Sequence, residues 1–112
     1  MSLHVFLTFP VENCPERHEV YCDNITSNLV SMAKEAGAYE VLWRHEEIGL
    51  TKASQLINPL RESLHLLLGT PEYFKTFNPP NGWGDYEGLV KFVRNYLNAC
   101  HRYPEADVHV SR

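Results

Sequence analysis

The sequence predicts an α+β domain: a small antiparallel sheet of about three strands from the two termini, packed by about three main helices. Period-two alternation of apolar residues is confined to the ends of the chain, at residues 3–9 and 106–112, with a shorter strand-like run at 18–22. Between them lie segments whose apolar residues recur at the i, i+3, i+4, i+7 spacing of a helix face. At 112 residues and 44% hydrophobic content, the whole span 1–112 fits one domain around a single core.

Each element has its own signal. Leu3, Val5, Leu7 and Phe9 alternate with His4, Phe6 and Thr8 in a first strand that ends at Pro10. Turn formers Asn13 and Pro15 separate it from His18–Cys22, so an irregular hairpin loop is the simplest connection. Asp23, Asn24 and Thr26 offer cap oxygens to a first helix over about residues 26–36, with Leu29, Met32, Ala33 and Ala36 on its apolar face. Gly37 is placed to close that helix in the left-handed conformation. Tyr39, Leu42, Trp43 and Ile48 predict a short helical turn or an ordered loop pinned to the core.

Thr51 is the expected cap of the main core helix, whose stripe is Ala53, Leu56, Ile57, Leu60, Leu64, Leu67 and Leu68. Pro59 lies inside it and predicts a kink near residues 55–58 unless the helix begins afresh there. Gly69 stops it, and Thr70-Pro71 opens a short helix over 72–76 carrying Tyr73 and Phe74, with Phe77 just beyond. Asp85 caps the third long helix, with Tyr86, Leu89, Val90, Val93, Leu97 and Cys100 on one face and His101 and Arg102 in its last turn. Pro104 ends it before the final strand.

Composition narrows function. The formal charge of −4 opposes a nucleic-acid binder that works by neutralising phosphates. The excess acid is local: residues 1–56 hold four basic and eight acidic side chains, residues 57–112 six of each. No basic flank and apolar run marks a secretory signal, and no apolar stretch has the length of a bilayer span, so a cytoplasmic protein without membrane contact is expected. Cys14, Cys22 and Cys100 lack C-x-x-C spacing, which predicts reduced thiols. The six histidines form neither H-x-x-x-H nor HExxH, and neither a nucleophile elbow nor a phosphate loop is present, so no metal, cofactor or catalytic group is assigned.

The unusual stretch is Asn78-Pro79-Pro80-Asn81-Gly82-Trp83-Gly84-Asp85-Tyr86. Two prolines force an extended entry, Asn81-Gly82 favours a turn, and Gly84 lets the backbone approach another surface. Together with Asn24, Asn28, Trp43 and Arg44, the residues Asn81, Trp83 and Tyr86 suit a planar hydrogen-bonding ligand. Aromatics stack on a base, asparagine amides read its edge, and arginine meets a phosphate. The same residues also suit structure: asparagines as caps, tryptophans as core corners, Arg44 as a loop tie.

Residues 23–112 resemble a family of small uncharacterised proteins of tailed phages and bacteria. The likeness rests on Asn24-Ile25-Thr26-Ser27-Asn28, Leu42-Trp43-Arg44, Asn78 through Tyr86, and Val108-His109-Val110-Ser111-Arg112. His45 departs from the family pattern, which has proline there. The resemblance implies a phage-encoded anti-defence role in the host cytoplasm, either sequestering a nucleotide-derived immune signal or masking a host protein. The expectation is therefore a non-enzymatic small-molecule-binding protein, with a homodimer sharing the pocket. The alternative is a protein-interaction module that inhibits a partner through Tyr73, Phe74, Phe77 and Tyr103.

Overall fold

The computed structural model describes residues 1–112. Strands β1 (Ser2–Pro10), β2 (Arg17–Thr26) and β3 (Asp107–Ser111) form an antiparallel sheet of order β2-β1-β3. Helices α1 (Val30–Glu35), α2 (Tyr39–Trp43), α3 (Ala53–Gly69), α4 (Pro71–Lys75) and α5 (Tyr86–Arg102) lie between β2 and β3 in the chain. The α+β class and the pairing of the two termini are as the alternation predicts. No helix is long and apolar enough to cross a membrane.

Strand β1 is the organising element. Its alternation turns Leu3, Val5 and Leu7 inward, each completely buried, into the one core cluster to which all five helices contribute. The opposite face aligns Asn24, His4 and Ser111 in one row and Cys22, Phe6 and His109 in the next. No helix covers this second face, where His4 stacks on Phe6 at a centroid distance of 6.5 Å. Between Leu7 and Thr8 the register with β2 shifts by a bulge, and Thr8 then receives the Arg17 guanidinium at 2.8 Å.

The helices depart from the sequence expectations at their ends. Strand β2 runs on to Thr26, so Asp23 and Asn24 are strand residues rather than caps, and pairing with β1 outweighs their turn preference. Thr26 alone caps, accepting from the Asn28 N–H into a short 3₁₀ turn, Ser27–Leu29, that leads into α1. Gly37 at φ +70° closes α1: its N–H reaches Lys34 O while Ala38 N–H reaches Ala33 O. Residues 38–49 contain α2 and a 3₁₀ turn, His45–Ile48.

Helix α3 starts after Lys52, not Thr51, because the Thr51 carbonyl is taken by Val108 N–H. The Gln55 side chain instead reaches back to the Thr51 and Lys52 amides. The helix passes through Pro59 without interruption, and Leu68, expected in the core stripe, faces outward while Ser63 is buried. Pro71 opens α4, and Asp85 caps α5 by accepting from Gly88 N–H at 2.7 Å.

Helix α5 holds the sheet through aromatics. Tyr96 is fully buried, stacks on Tyr21 of β2 at 5.9 Å and tilts against Phe92, yet its hydroxyl has no hydrogen-bond partner. An unpaired buried hydroxyl costs about 1–3 kcal/mol. Tyr96→Phe is expected to keep the ring packing and raise stability by about 1 kcal/mol, read as a higher midpoint in urea denaturation.

Asp107 ties three elements together by accepting from Lys52 at the start of α3 and Arg17 at the start of β2. The Lys52 hydrogen bond first, then its charge and Arg17, hold the Asp107 carboxyl below its ordinary value. A depressed folded pKa means that the stabilisation is complete above the unfolded value of about 4 and is lost as pH falls through the folded one. Asp107→Asn is expected to lower the urea midpoint at neutral pH, with the deficit vanishing at strongly acidic pH.

Candidate functional site

The loop Asn78–Asp85 is built by its own side chains and by the surface it meets. Gly82 N–H reaches Pro79 O at 3.2 Å, so the turn is centred on Pro80-Asn81 rather than on Asn81-Gly82, and Gly82 leaves it at φ +75°. Asn81 Oδ1 accepts from Trp83 N–H at 3.0 Å, and Asn78 Oδ1 accepts from Tyr86 N–H at 2.8 Å. Gly84, at φ +99°, lies against the end of β2: a Cβ there would sit 2.6 Å from Thr26 Cγ2 and 3.1 Å from Leu29 Cγ. The close approach expected of Gly84 is thus made onto the Asn24–Asn28 segment. Asn28 Nδ2 completes the join by donating to Trp83 O at 3.4 Å.

Trp83 protrudes from this fixed backbone with 72% of its surface exposed. Asn28 Oδ1 and Asn81 Nδ2 have no partner within the chain, so each amide that holds the Trp83 backbone keeps one free polar atom. Asn24 is exposed at the end of a hollow of about 250 Å³ between β2 and α5, lined also by Gly88, Lys91 and Asn95. Gly88, on the rim of this hollow, is the residue whose N–H the Asp85 cap accepts.

The other predicted site residues lie elsewhere. Tyr86 is 7% exposed and belongs to the core; its hydroxyl donates to Leu67 O at 2.7 Å, satisfying one of the carbonyls left free at the end of α3. Trp43 is 4% exposed and stacks on Tyr39 at 5.9 Å, filling the corner between α2 and the core. Arg44 is held by the Tyr39 hydroxyl at 3.3 Å and Glu47 at 3.5 Å. Arg112, just past β3, anchors this corner through Trp43 O and Glu46, so it belongs to the β3 side of the sheet while Asn24 lies on β2. Asn24, Asn28, Asn81 and Trp83 are brought to one end; Trp43, Arg44 and Tyr86 are not part of that surface.

The ionisable groups are engaged structurally. Burial pushes the Cys100 thiol up to about 12, which keeps it protonated and unreactive. Cys14 and Cys22 are free and exposed, and Cys22 is paired across the ladder with Phe6. The Cys22 thiol is raised, first by its hydrogen bond with Glu19. Glu46 is lowered, by its own backbone N–H and then by Arg112, so it stays charged rather than sharing a proton with Glu47. No cluster of His, Cys, Asp or Glu has metal-binding geometry.

Sequence reasoning missed two contributors. Asn78 acts through its side chain on Tyr86, and Lys91, Asn95, Asn98 and Arg102 line the β2 side of α5. The i, i+4, i+7, i+11 spacing of the second group was a readable signal of one helix face. No family model, curated protein or solved structure matches the chain.

The glycines of the loop are not equivalent. A Cβ at Gly82 meets nothing within 4 Å, whereas one at Gly84 collides with β2. Gly82→Ala is expected to cost about 1 kcal/mol of left-handed strain. Gly84→Ala should cost about 2 kcal/mol or more, since the loop must also lift from Thr26. Urea denaturation of the two variants measures the difference.

Proposed function

We propose that this chain is a non-enzymatic binding protein whose ligand stacks on Trp83 and is read by the flanking asparagine amides. The observation that carries the reading is a tryptophan 72% exposed on a backbone held by Asn81, Asn28 and the Gly84 contact. Placing an aromatic in water on a loop held by hydrogen bonds and a close backbone contact forgoes the burial that stabilises the rest of the core, and a preorganised surface binds at little conformational cost. The free acceptor of Asn28 and the free donor of Asn81, on the two amides bonded to the Trp83 backbone, favour a heterocyclic base. The ligand class proposed is a small nucleotide-derived molecule, consistent with sequestration of a host immune signal by a phage-encoded protein.

The Trp83 surface is open, so enclosure of a ligand requires a second copy, and a symmetric homodimer is the assembly proposed. Thermal-shift screening with nucleotide second messengers at saturating concentration tests the reading. A ligand at a hundred times its Kd stabilises by about 2.7 kcal/mol. Trp83→Ala is expected to abolish that shift while leaving the unliganded melting temperature within about 2 °C. Absence of any shift across the panel would remove the support, and a Trp83→Ala variant that fails to fold would make the ring a structural plug.

A second reading, a module that masks a protein partner, is favoured by a separate observation. Leu66, Leu68 and Tyr73 are exposed around the junction of α3 and α4. Tyr73 is kept in place by donating to Glu35 Oε1 at 2.6 Å and by edge contacts with Phe74 and Phe77. A stoichiometric host partner lost with Leu68→Glu but retained with Trp83→Ala would select this reading over the first.

A further inference from the structure

Strand β2 is an edge strand, and the direction of its free backbone groups follows from the ladder. Val108 N–H donates to Thr51 O at 2.9 Å, so Val108 turns its backbone groups away from β1. In an antiparallel ladder these directions alternate, which makes Val5–Asp23 and Leu7–Tyr21 the hydrogen-bonded pairs on the other side of β1. Cys22 and Asn24 therefore direct their N–H and C=O groups outward. Asn24 agrees, because its N–H is satisfied by the Asp23 side chain at 2.8 Å rather than by β1.

This edge borders a cleft. Two hollows of about 250 and 300 Å³ share Asn95 and run between β2 and α5. Tyr21 and Asn24 stand on the strand side; Lys91, Asn95, Asn98 and Arg102 stand on the helix side. Neither Lys91 nor Arg102 has an ion-pair partner. The one carboxylate in the cleft, Asp23, already accepts from Tyr21 Oη and Asn24 N–H. From Lys91 to Arg102 the helix rises about 16 Å, the length of about five extended residues. The opposite edge differs, since β3 is hemmed by the Thr51 and Lys52 contacts with Val108 and Asp107.

We propose that the cleft between β2 and α5 binds an extended peptide segment with acidic side chains, which adds to β2 as a fourth strand. The N–H and C=O of Cys22 and the C=O of Asn24, whose N–H stays with Asp23, pair with the peptide backbone, and Lys91 and Arg102 meet its carboxylates at the two ends. Asn95 and Asn98 supply donors and acceptors between them. The outward backbone row distinguishes a peptide from a nucleotide, because it offers hydrogen bonds at the spacing of another strand.

The probe is a blocked heptapeptide of alternating glutamate and threonine, titrated into the full chain and followed by backbone-amide NMR. Saturable shifts at Cys22 and Asn24, with slowed hydrogen exchange at the Cys22 amide, are the expected result. Lys91→Glu combined with Arg102→Glu should weaken binding at least about tenfold while preserving the native spectrum, since both side chains are exposed. The proposal is overturned by absence of saturable shifts at millimolar peptide, or by equal affinity for the lysine–threonine heptapeptide. It is also overturned if shifts occur without slowed Cys22 exchange, or if the same amides answer a mononucleotide and not the peptide. Trp83→Ala should leave peptide affinity unchanged, so this inference and the Trp83 reading fail separately.

Discussion

The structure depends on β1 being paired along both edges while its inward side chains are wholly buried. Leu3, Val5 and Leu7 cannot shift by one residue without turning His4 and Phe6 into the core. That constraint fixes the register of β2 and β3 together, although they lie at opposite ends of the chain. Once both are fixed, the helices between them must cover one face, and the two ends of the sheet acquire their different characters. The Asp107 cluster and the Tyr21–Tyr96 stack then tie helices α3 and α5 to strands already in place.

Much of the fold was legible because local signals agreed with tertiary context. The alternation at residues 3–9 and 106–112, Gly37 as the end of α1, and Asp85 as the cap of α5 are decided within a few residues of each position. The misread positions are those where a distant partner decided. Asp23 and Asn24 became strand because β1 offered pairing, and Thr51 lost its capping role because its carbonyl was needed by Val108. Leu68 carried the right spacing for the core, but the buried stripe of α3 runs Leu56, Leu60, Ser63, Leu67 and leaves Leu68 on its solvent flank.

The candidate site divides along the same line. That Gly84 permits a close approach was readable from the loop; that the surface approached is Thr26 and Leu29 was not. Residue type alone could not separate Trp83 from Trp43, or a tyrosine that stacks on a ligand from one that closes a helix end, as Tyr86 does. Arg44 had a partner on its own segment, Tyr39, within reach before any ligand could claim it. The polar row Lys91, Asn95, Asn98 and Arg102 drew no reading of its own, because only the fold shows that β2 runs beside it.

The unequal placement of the two tryptophans has an optical consequence. Trp43 is sealed beneath α2, and Trp83 stands in solvent on a loop whose seat is the methyl group of Thr26. The chain thus contains one emitter shielded from aqueous quenchers and one open to them, each reporting a different part of the molecule. Lifting the loop from β2, or covering it, changes the second emitter while the first keeps its environment. The seating of Gly84 can therefore be followed in the unlabelled protein as a ratio of accessible to inaccessible fluorescence.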